Sequence, residues 1–468
     1  MGKKKQFFYL FIFLFIFGFG FFLRFWKISD NFTFDIDTQY QALLAKTIIE
    51  HFHIIWIGVS ASSIGYYLGP GLVYVTAFLL WLSKGDPIIL GYFASFIGLI
   101  TSLSLYYIAK KLYGQKVAVI SLIIYGFSAF IIGYDRRYWP IFVPLIALWQ
   151  YYSLVMARNN TRWLIVTVFL MALSYHIHLS LFIFWPFILW SFIKLFKKID
   201  LFTWGTSIAT FIIITLPLLV FDFVHNFDNL LAPIKFISSV LHKSSPGINL
   251  HLNYLLSSLG KVFFINAESN SYLSVLLKVL LIIIFVYLAL LKKDLQTNML
   301  SAIVFLFALF FSLYPGYIQE YYLVFIFPFL AISCGLILRS IRPSLLVLLL
   351  TVFVIINLPL FLFTKNCCDL AVKKDLVTKV IQNIHDDYYL SFDGNIDMEG
   401  WRYLFEAYGR LPSQSKADEM FGWIYAKKIS LKTPKYTVFV SNSNSLKFDS
   451  LINKYQSGRY TGYVFMNK

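Results

Sequence analysis

The sequence predicts an all-α polytopic membrane protein that carries a small α/β domain after its last span. Three observations predict it. Of 468 residues, 59% are hydrophobic and 13% are charged, and the mean hydropathy is +0.71. A soluble fold has no use for that much apolar surface, whereas a bilayer solvates it. Apolar runs of roughly 15–22 residues recur up to about residue 363, with short basic clusters between them. From about residue 364 the chain changes to soluble-protein levels of Asp, Asn, Ser and Lys.

The runs give about eleven spans by length and hydropathy. They cover about 6–25, 88–109, 117–133, 139–157, 162–176, 179–196, 202–221, 272–291, 297–313, 320–338 and 344–363. The first follows Lys3-Lys4-Lys5. It is longer than a secretory signal core and is followed by no small-residue cleavage site, so it reads as a retained span. Segment 66–83 is apolar too, but short for a span and headed by Gly65, Gly69, Pro70 and Gly71. Charge decides its placement. If it lies flat outside, the clusters Lys110/Lys111/Lys116, Arg158/Arg162, Lys194/Lys197/Lys198, Lys292/Lys293 and Arg339/Arg342 all share the side of the N-terminal lysines. If it crosses, they all change sides. The positive-inside rule selects a surface-lying segment, a cytoplasmic N-terminus in the cell membrane and an extracytoplasmic tail.

The net charge of +17 is distributed as this rule demands, so no nucleic-acid partner is expected. Three cysteines make no disulfide framework. Cys334 lies in a span, and a bridge between the adjacent Cys367 and Cys368 would be strained, so all three read as structural. The tail, 364–468, reads as an extracytoplasmic α/β domain of about 100 residues, near the size at which one core suffices. Helices are expected at Lys373–His385 and Trp401–Tyr408, and strands at Tyr388–Phe392 and Tyr436–Val440.

Ionisable residues outside the basic clusters are the candidates for chemistry. The first external loop, about 26–87, holds Asp35 and Asp37 just before a helix whose face carries Tyr40, Leu44 and Ile48. Thr38 with Gln41 has capping-box spacing, and the plainer reading of Asp37 is a helix cap. A carboxylate at the membrane surface can also act as general base on an acceptor hydroxyl. Tyr134-Asp135-Arg136-Arg137-Tyr138-Trp139 falls on the same face, where Arg136 and Arg137 break the charge trend. Arginine forks suit phosphate oxygens, although arginines solvated among lipid headgroups need no ligand. A carboxylate base with a cationic phosphate site suits displacement of phosphate from an anomeric carbon. The available donor outside the membrane is a lipid-phosphate sugar.

These motifs, in this order, resemble the GT-C glycosyltransferases, in the bacterial group similar to protein O-mannosyltransferases and aminoarabinose transferases. The resemblance covers residues 1 to about 363. Its carriers are Phe34-Asp35-Ile36-Asp37-Thr38-Gln39-Tyr40, Leu68-Gly69-Pro70-Gly71-Leu72-Val73-Tyr74, Lys110-Lys111-Leu112-Tyr113-Gly114, Tyr134 through Pro140, and Glu320-Tyr321-Tyr322-Leu323 through Pro328. The resemblance implies inverting transfer from a polyprenyl-phosphate sugar to an extracytoplasmic glycan, lipid or protein hydroxyl, with a first-loop acid as base. Asp37 fits that acid better than Asp35. The adjacent Asp-Glu or Asp-Gln of the commoner pattern is absent, so both stay candidates. Gly69 and Glu320 stand where relatives often carry a basic residue, which leaves phosphate binding to Arg136 and Arg137. Asp135, Tyr138 and Tyr322 complete the expected binding set.

His176 and His178 are candidates for touching the lipid phosphate. At i and i+2 they point about 200° apart on a helix and cannot chelate one ion unless the helix breaks there. No metal or other cofactor is expected. Two other classes compete: a lipid-linked-sugar flippase or transporter, and a non-catalytic scaffold presenting the tail. A transporter would place charges or broken helices at the bilayer midplane, often with internal symmetry. The predicted spans hold almost no ionisable residues and show no repeat.

Overall fold

The computed structural model describes residues 3–61, 65–241, 248–266, 270–290, 294–314, 316, 318–363, 369–425, 429–430, 432–444, 446 and 451–467. Cys367, Cys368, Lys292 and Lys293 fall outside this set. The chain opens with α1 (Lys3–Phe25), then α2 (Ile36–His51), the short pair β1 (Ser60–Ala61) and β2 (Tyr66–Tyr67), and α3 (Gly71–Leu82). The bundle continues through α4 (Ile88–Tyr113), α5 (Gln115–Phe127), α6 (Ala129–Asp135), α7 (Phe142–Ala157), α8 (Trp163–Ile177), α9 (Trp185–Leu195) and α10 (Leu201–Val224). After α11 (Asp228–Leu241) and α12 (Ile248–Gly260) come α13 (Ser271–Leu290), α14 (Leu295–Leu313), α15 (Phe327–Leu338) and α16 (Pro343–Phe363).

Among the described residues, seven helical segments are long and apolar enough to cross a bilayer, and the bent pair α5–α6 makes an eighth. The shorter apolar stretches Phe11–Phe25, Phe142–Ala157 and Trp163–Ile177 coincide with the other expected spans. This is a multi-pass membrane protein. The fourth short helix is α3, with 12 residues. At 1.5 Å per residue it reaches about 18 Å, against a hydrocarbon core of about 30 Å. Position in the bundle follows from which residues are covered. The segment Glu320–Leu338 has 78% of its apolar window buried and forms the axis, whereas Pro343–Phe363 has 11% buried and faces lipid.

Aspartates start several helices. Asp200 accepts from the Thr203 amide and Asp294 from the Thr297 amide, satisfying N-terminal donors that the bilayer would leave orphaned. The span expected over 117–133 is broken instead. Between α5 and α6 the axis turns by 72°. Ser128 caps the new helix through Ile131, and Asn357 of α16 accepts from the Ala129 amide at 3.1 Å.

The tail forms α17 (Leu370–Ile381), β3 (Tyr388–Phe392), α18 (Trp401–Tyr408), β4 (Gln414–Ser415), α19 (Asp418–Phe421), β5 (Tyr436–Ser441), β6 (Leu451–Ser457) and β7 (Tyr460–Met466). Sheet order is β4-β3-β5-β7-β6, with β3 parallel to both neighbours and the rest antiparallel. The expected strands and the Trp401 helix are present. The first helix starts and ends earlier than 373–385, because Asp369 rather than a later residue stands at its N-cap position.

This domain sits on the loop between α1 and α4. The Leu370 amide donates to the Phe32 carbonyl at 3.1 Å, and the Tyr403 amide donates to Gln39 Oε1 at 3.0 Å. The Tyr403 hydroxyl donates to the Gly85 carbonyl at 2.9 Å. Tyr408 donates to Asp86 at 2.6 Å, and Lys46 of α2 pairs with Glu406 of α18.

Candidate active site

The loop carboxylates separate at the start of α2. The helix begins at Ile36, earlier than the Thr38–Gln41 spacing suggested, and Asp35 is its N-cap. The Asp35 carboxylate accepts from the Thr38 amide at 3.0 Å and the Thr38 hydroxyl at 2.7 Å. Asp37 is inside the first turn, so its side chain leaves the helix in another direction and caps nothing. Among the described residues its carboxylate accepts no hydrogen bond and joins no ion pair. Burial, with a further contribution from the Asp35 charge, pushes its carboxyl up to about 7.

Asp37 faces aromatic side chains from the bundle axis. The charges of Asp35 and Asp37 both reach the Tyr321 hydroxyl, and that of Asp37 reaches Tyr322. The two tyrosines pack edge to face at 4.7 Å, on a 3-10 segment Glu320–Ile326 that leads into α15. His178 lies beside them, with ring centroids 5.9 Å and 5.5 Å away. Trp139 closes the group at 6.0 Å from His178. The His178 Nδ1 accepts from the Ser180 amide at 3.1 Å, which leaves Nε2 to carry the proton of the neutral ring.

Cations flank this group. The Arg137 guanidinium is exposed and stacks over the Tyr134 ring at 4.7 Å, donating no hydrogen bond among the described residues. Tyr134 donates to Glu320 Oε2 at 3.1 Å, and Lys261 pairs with Glu320 Oε1 at 2.6 Å. Arg137, Lys261 and the carboxylate of Glu320 therefore share one corner, one residue along from Tyr321.

The other expected binding residues have structural partners. Asp135 is buried against Arg24 of α1, with Nη2–Oδ2 at 2.6 Å and side chains 3% and 0% exposed. Arg136 is buried too, donating to the carbonyls of Leu23, Arg24 and Trp26 and stacking over Phe361 at 4.2 Å. Its fork ties down the C-terminal end of α1. Tyr138 shares a hydrogen bond with Thr76 of α3 at 2.8 Å. His176 accepts from the Gly71 amide at 3.1 Å, and its other nitrogen meets the Ile214 carbonyl at 2.8 Å. Gly69 and Gly71 wrap this ring: a Cβ on Gly69 would stand 2.2 Å from Nδ1. The Gly69-Pro70-Gly71 element is thus a seat for His176 that fixes the start of α3.

Sequence reasoning passed over Tyr321, Trp139 as a site residue, and Lys261. Tyr321 is adjacent to the chosen Tyr322, but Lys261, in the turn that follows α12, has no motif in the sequence to single it out. Among the described residues no three His, Cys, Asp or Glu side chains gather as metal ligands. A cavity of about 430 Å³ lies at the far end of α2, lined by Lys46, Glu50, Trp81, Lys84, Tyr403 and Glu406. It is separate from the carboxylates.

No family model matches the sequence, and no curated protein matches it. Solved structures do. ArnT from Cupriavidus metallidurans bound to undecaprenyl phosphate aligns with a TM-score of 0.64 at 9% identity, over 99% of this chain and 98% of that one. Its apo form gives 0.61 at 10% identity, over 98% of each chain. The oligosaccharyltransferase of Archaeoglobus fulgidus in the apo form gives 0.50 at 12% identity, over 94% of this chain and 70% of that one. At such identities the likeness concerns the fold, which is of the GT-C type along the whole chain, C-terminal domain included.

Proposed function

We propose that the protein is an inverting membrane glycosyltransferase that moves a sugar from a polyprenyl-phosphate donor to an extracytoplasmic hydroxyl acceptor, with Asp37 as the base. The observation that carries this reading is the division of labour at α2. Asp35 is spent on the cap, while Asp37 has no hydrogen-bond or ion-pair partner among the described residues and is half-buried and raised towards neutrality beside Tyr321 and Tyr322. A base with a pKa near the working pH combines ionisation with proton affinity. The fold supports the donor class, since ArnT was solved with undecaprenyl phosphate.

In this reading the acceptor oxygen attacks the anomeric carbon from the side opposite the phosphate, and Asp37 takes its proton. The bond between the anomeric carbon and the phosphate oxygen breaks, and the electron pair leaves with the lipid phosphate. Arg137 meets that charge with its free fork, assisted by Lys261. Arg136 holds α1 and takes no part. Tyr321, Tyr322, Trp139 and His178 offer apolar faces and hydroxyls to the sugar. By the positive-inside rule the site, the first loop and the C-terminal domain lie outside the cytoplasm.

The test is transfer from labelled polyprenyl-phosphate sugars in membranes. Asp37→Asn keeps shape and is expected to lower transfer about 10²–10⁴-fold. Asp35→Asn should be milder, because asparagine caps about as well as aspartate. The reverse order would move the base to Asp35. Normal transfer in both variants and in the double variant would leave a scaffold or transporter as the better reading. Arg137→Ala should lower transfer strongly and Arg137→Lys partly, since lysine keeps the charge and loses the fork.

A further inference from the structure

The C-terminal domain reaches the loop that carries the carboxylates through a buried ammonium. Lys373 stands in the first turns of α17, and its side chain is 0% exposed. Its Nζ donates to the Phe34 carbonyl at 2.8 Å and to the Glu399 carbonyl at 2.9 Å, and it pairs with the Glu399 carboxylate. The three ammonium protons thus have three acceptors. The rings of Trp401 and Tyr460 stand 5.6 Å and 6.0 Å away. Burying a lysine is unfavourable, and burial pulls this ammonium below its ordinary range. The soluble domain could satisfy its own core with an apolar residue here. Two of its three acceptors are on Glu399, inside the domain, and the third is the backbone of another segment, the Phe34 carbonyl.

That segment is the one residue before the cap. Phe34 is fully buried, and Gly400 of the C-terminal domain closes on it with φ +76°. A Cβ on Gly400 would lie 2.6 Å from the Phe34 ring and 3.2 Å from the Asp35 carbonyl oxygen. The Phe34–Asp35 unit is therefore fixed at both ends. Lys373 holds the carbonyl that precedes Asp35, and Thr38 holds the Asp35 carboxylate. Asp37 stands two residues further on, in the turn so fixed.

We propose that Lys373 is a positioning residue for sugar transfer: the buried ammonium of the C-terminal domain grips the Phe34 carbonyl and thereby aims the first turn of α2, which carries Asp37. The domain is then part of the catalytic apparatus rather than an appendage. This rests on the reading of Asp37 as the base. Misplacing a catalytic group by about 1 Å costs on the order of 10² in rate.

The experiment uses the full chain in phospholipid nanodiscs and reads hydrogen exchange beside turnover of a polyprenyl-phosphate sugar. In Lys373→Met, the Thr38 and Gln39 amides should exchange about tenfold faster while β3 and β5 keep their protection. Turnover should fall about 10²-fold with donor KM within about twofold. Gly400→Ala leaves the ammonium in place and pushes on Phe34, and should have the same two effects; it carries the test if Lys373→Met loses protection throughout the sheet. Tyr408→Phe cuts a domain contact to Asp86, remote from the carboxylates, and should change neither reading. Native exchange and turnover in both Lys373→Met and Gly400→Ala would overturn the proposal. So would an equal loss in Tyr408→Phe, which would mean that docking alone matters. Asp37→Asn in parallel separates the two claims: retained turnover there sinks the base assignment, whereas lost turnover there with native Lys373→Met sinks only the positioning role.

Discussion

At the scale of residues, two aspartates two positions apart meet opposite conditions. Asp35 faces donors from Thr38, whereas Asp37 faces tyrosines and the charge of Asp35. A raised carboxyl binds protons more tightly in the folded state than in the unfolded chain. Its stabilising contribution is therefore complete below the ordinary carboxylate value of 3.8 and is lost as pH rises through about 7. Asp37→Asn should then be more stable than the native protein at pH 8, by on the order of 1–3 kcal/mol, with the difference closing towards pH 4. Thermal unfolding at both pH values checks this; a variant destabilised at pH 8 would contradict it. The same ionisation governs rate. Turnover relative to donor KM should rise through about pH 7 and level off above it, and the residual activity of Asp37→Asn should lack that limb. The pair was legible in the sequence because carboxylates are scarce beside an apolar span. The assignment of the cap was not, since Thr38–Gln41 gives an equally good local pattern and only the backbone start at Ile36 decides.

At the scale of elements, the junction of α1, α6 and α16 shows why the roles within the Asp-Arg-Arg turn cannot be told apart from sequence. Its arginines look like ligand-binding cations because they sit on the side poor in positive charge. The partners that occupy Asp135 and Arg136 are at residues 23–26, more than a hundred positions away, and no local spacing reveals them. The break at Ser128 is hidden for the same reason: the buried Ala129 amide that the break frees is satisfied by Asn357, on the last span. In the C-terminal sheet, β3 alternates buried and half-buried residues and was readable, whereas β6 is exposed along most of its length and carries no alternation. The α1–α6 clasp has a measurable consequence. Removing one partner leaves a buried charge alone, so Asp135→Leu should cost about 3–5 kcal/mol. The double variant Arg24→Met with Asp135→Leu should recover much of it, because an apolar pair of similar volume replaces a desolvated ion pair. Unfolding in detergent measures both. A double variant no better than the single would show that Arg24 matters for something other than Asp135.

At the scale of the whole molecule, one side chain fixes the path of the first loop. Tyr403 binds Gln39 through its amide and the Gly85 carbonyl through its hydroxyl. Residues 39 and 85 flank the segment that holds α3, and their shared partner supports the proposal that α3 lies along the membrane surface without crossing. In that topology the C-terminal domain that supplies Tyr403 shares the face of the first loop. Parity agrees: α1 crosses once to reach the loop, and an even number of crossings from α4 to α16 brings the chain back to it. Lys116 donates to the Arg339 carbonyl at 2.6 Å, so the basic clusters that follow α4 and α15 are together, and in the proposed topology they share the opposite face. By the positive-inside rule we propose that the face with the basic clusters is the cytoplasmic one. In a background with Cys334 replaced by Ala and Cys367 and Cys368 by Ser, Thr433→Cys should react with a membrane-impermeant maleimide in intact cells. Thr433 is exposed in the C-terminal domain, and Asn159 is exposed in the turn between α7 and α8. Asn159→Cys should react only after lysis. The opposite pattern would invert the orientation and put the site on the cytoplasmic side, where nucleotide sugars compete as donors. Equal behaviour of the two positions would break the parity itself, and with it the placement of the carboxylates and the C-terminal domain on a face opposite the basic turns.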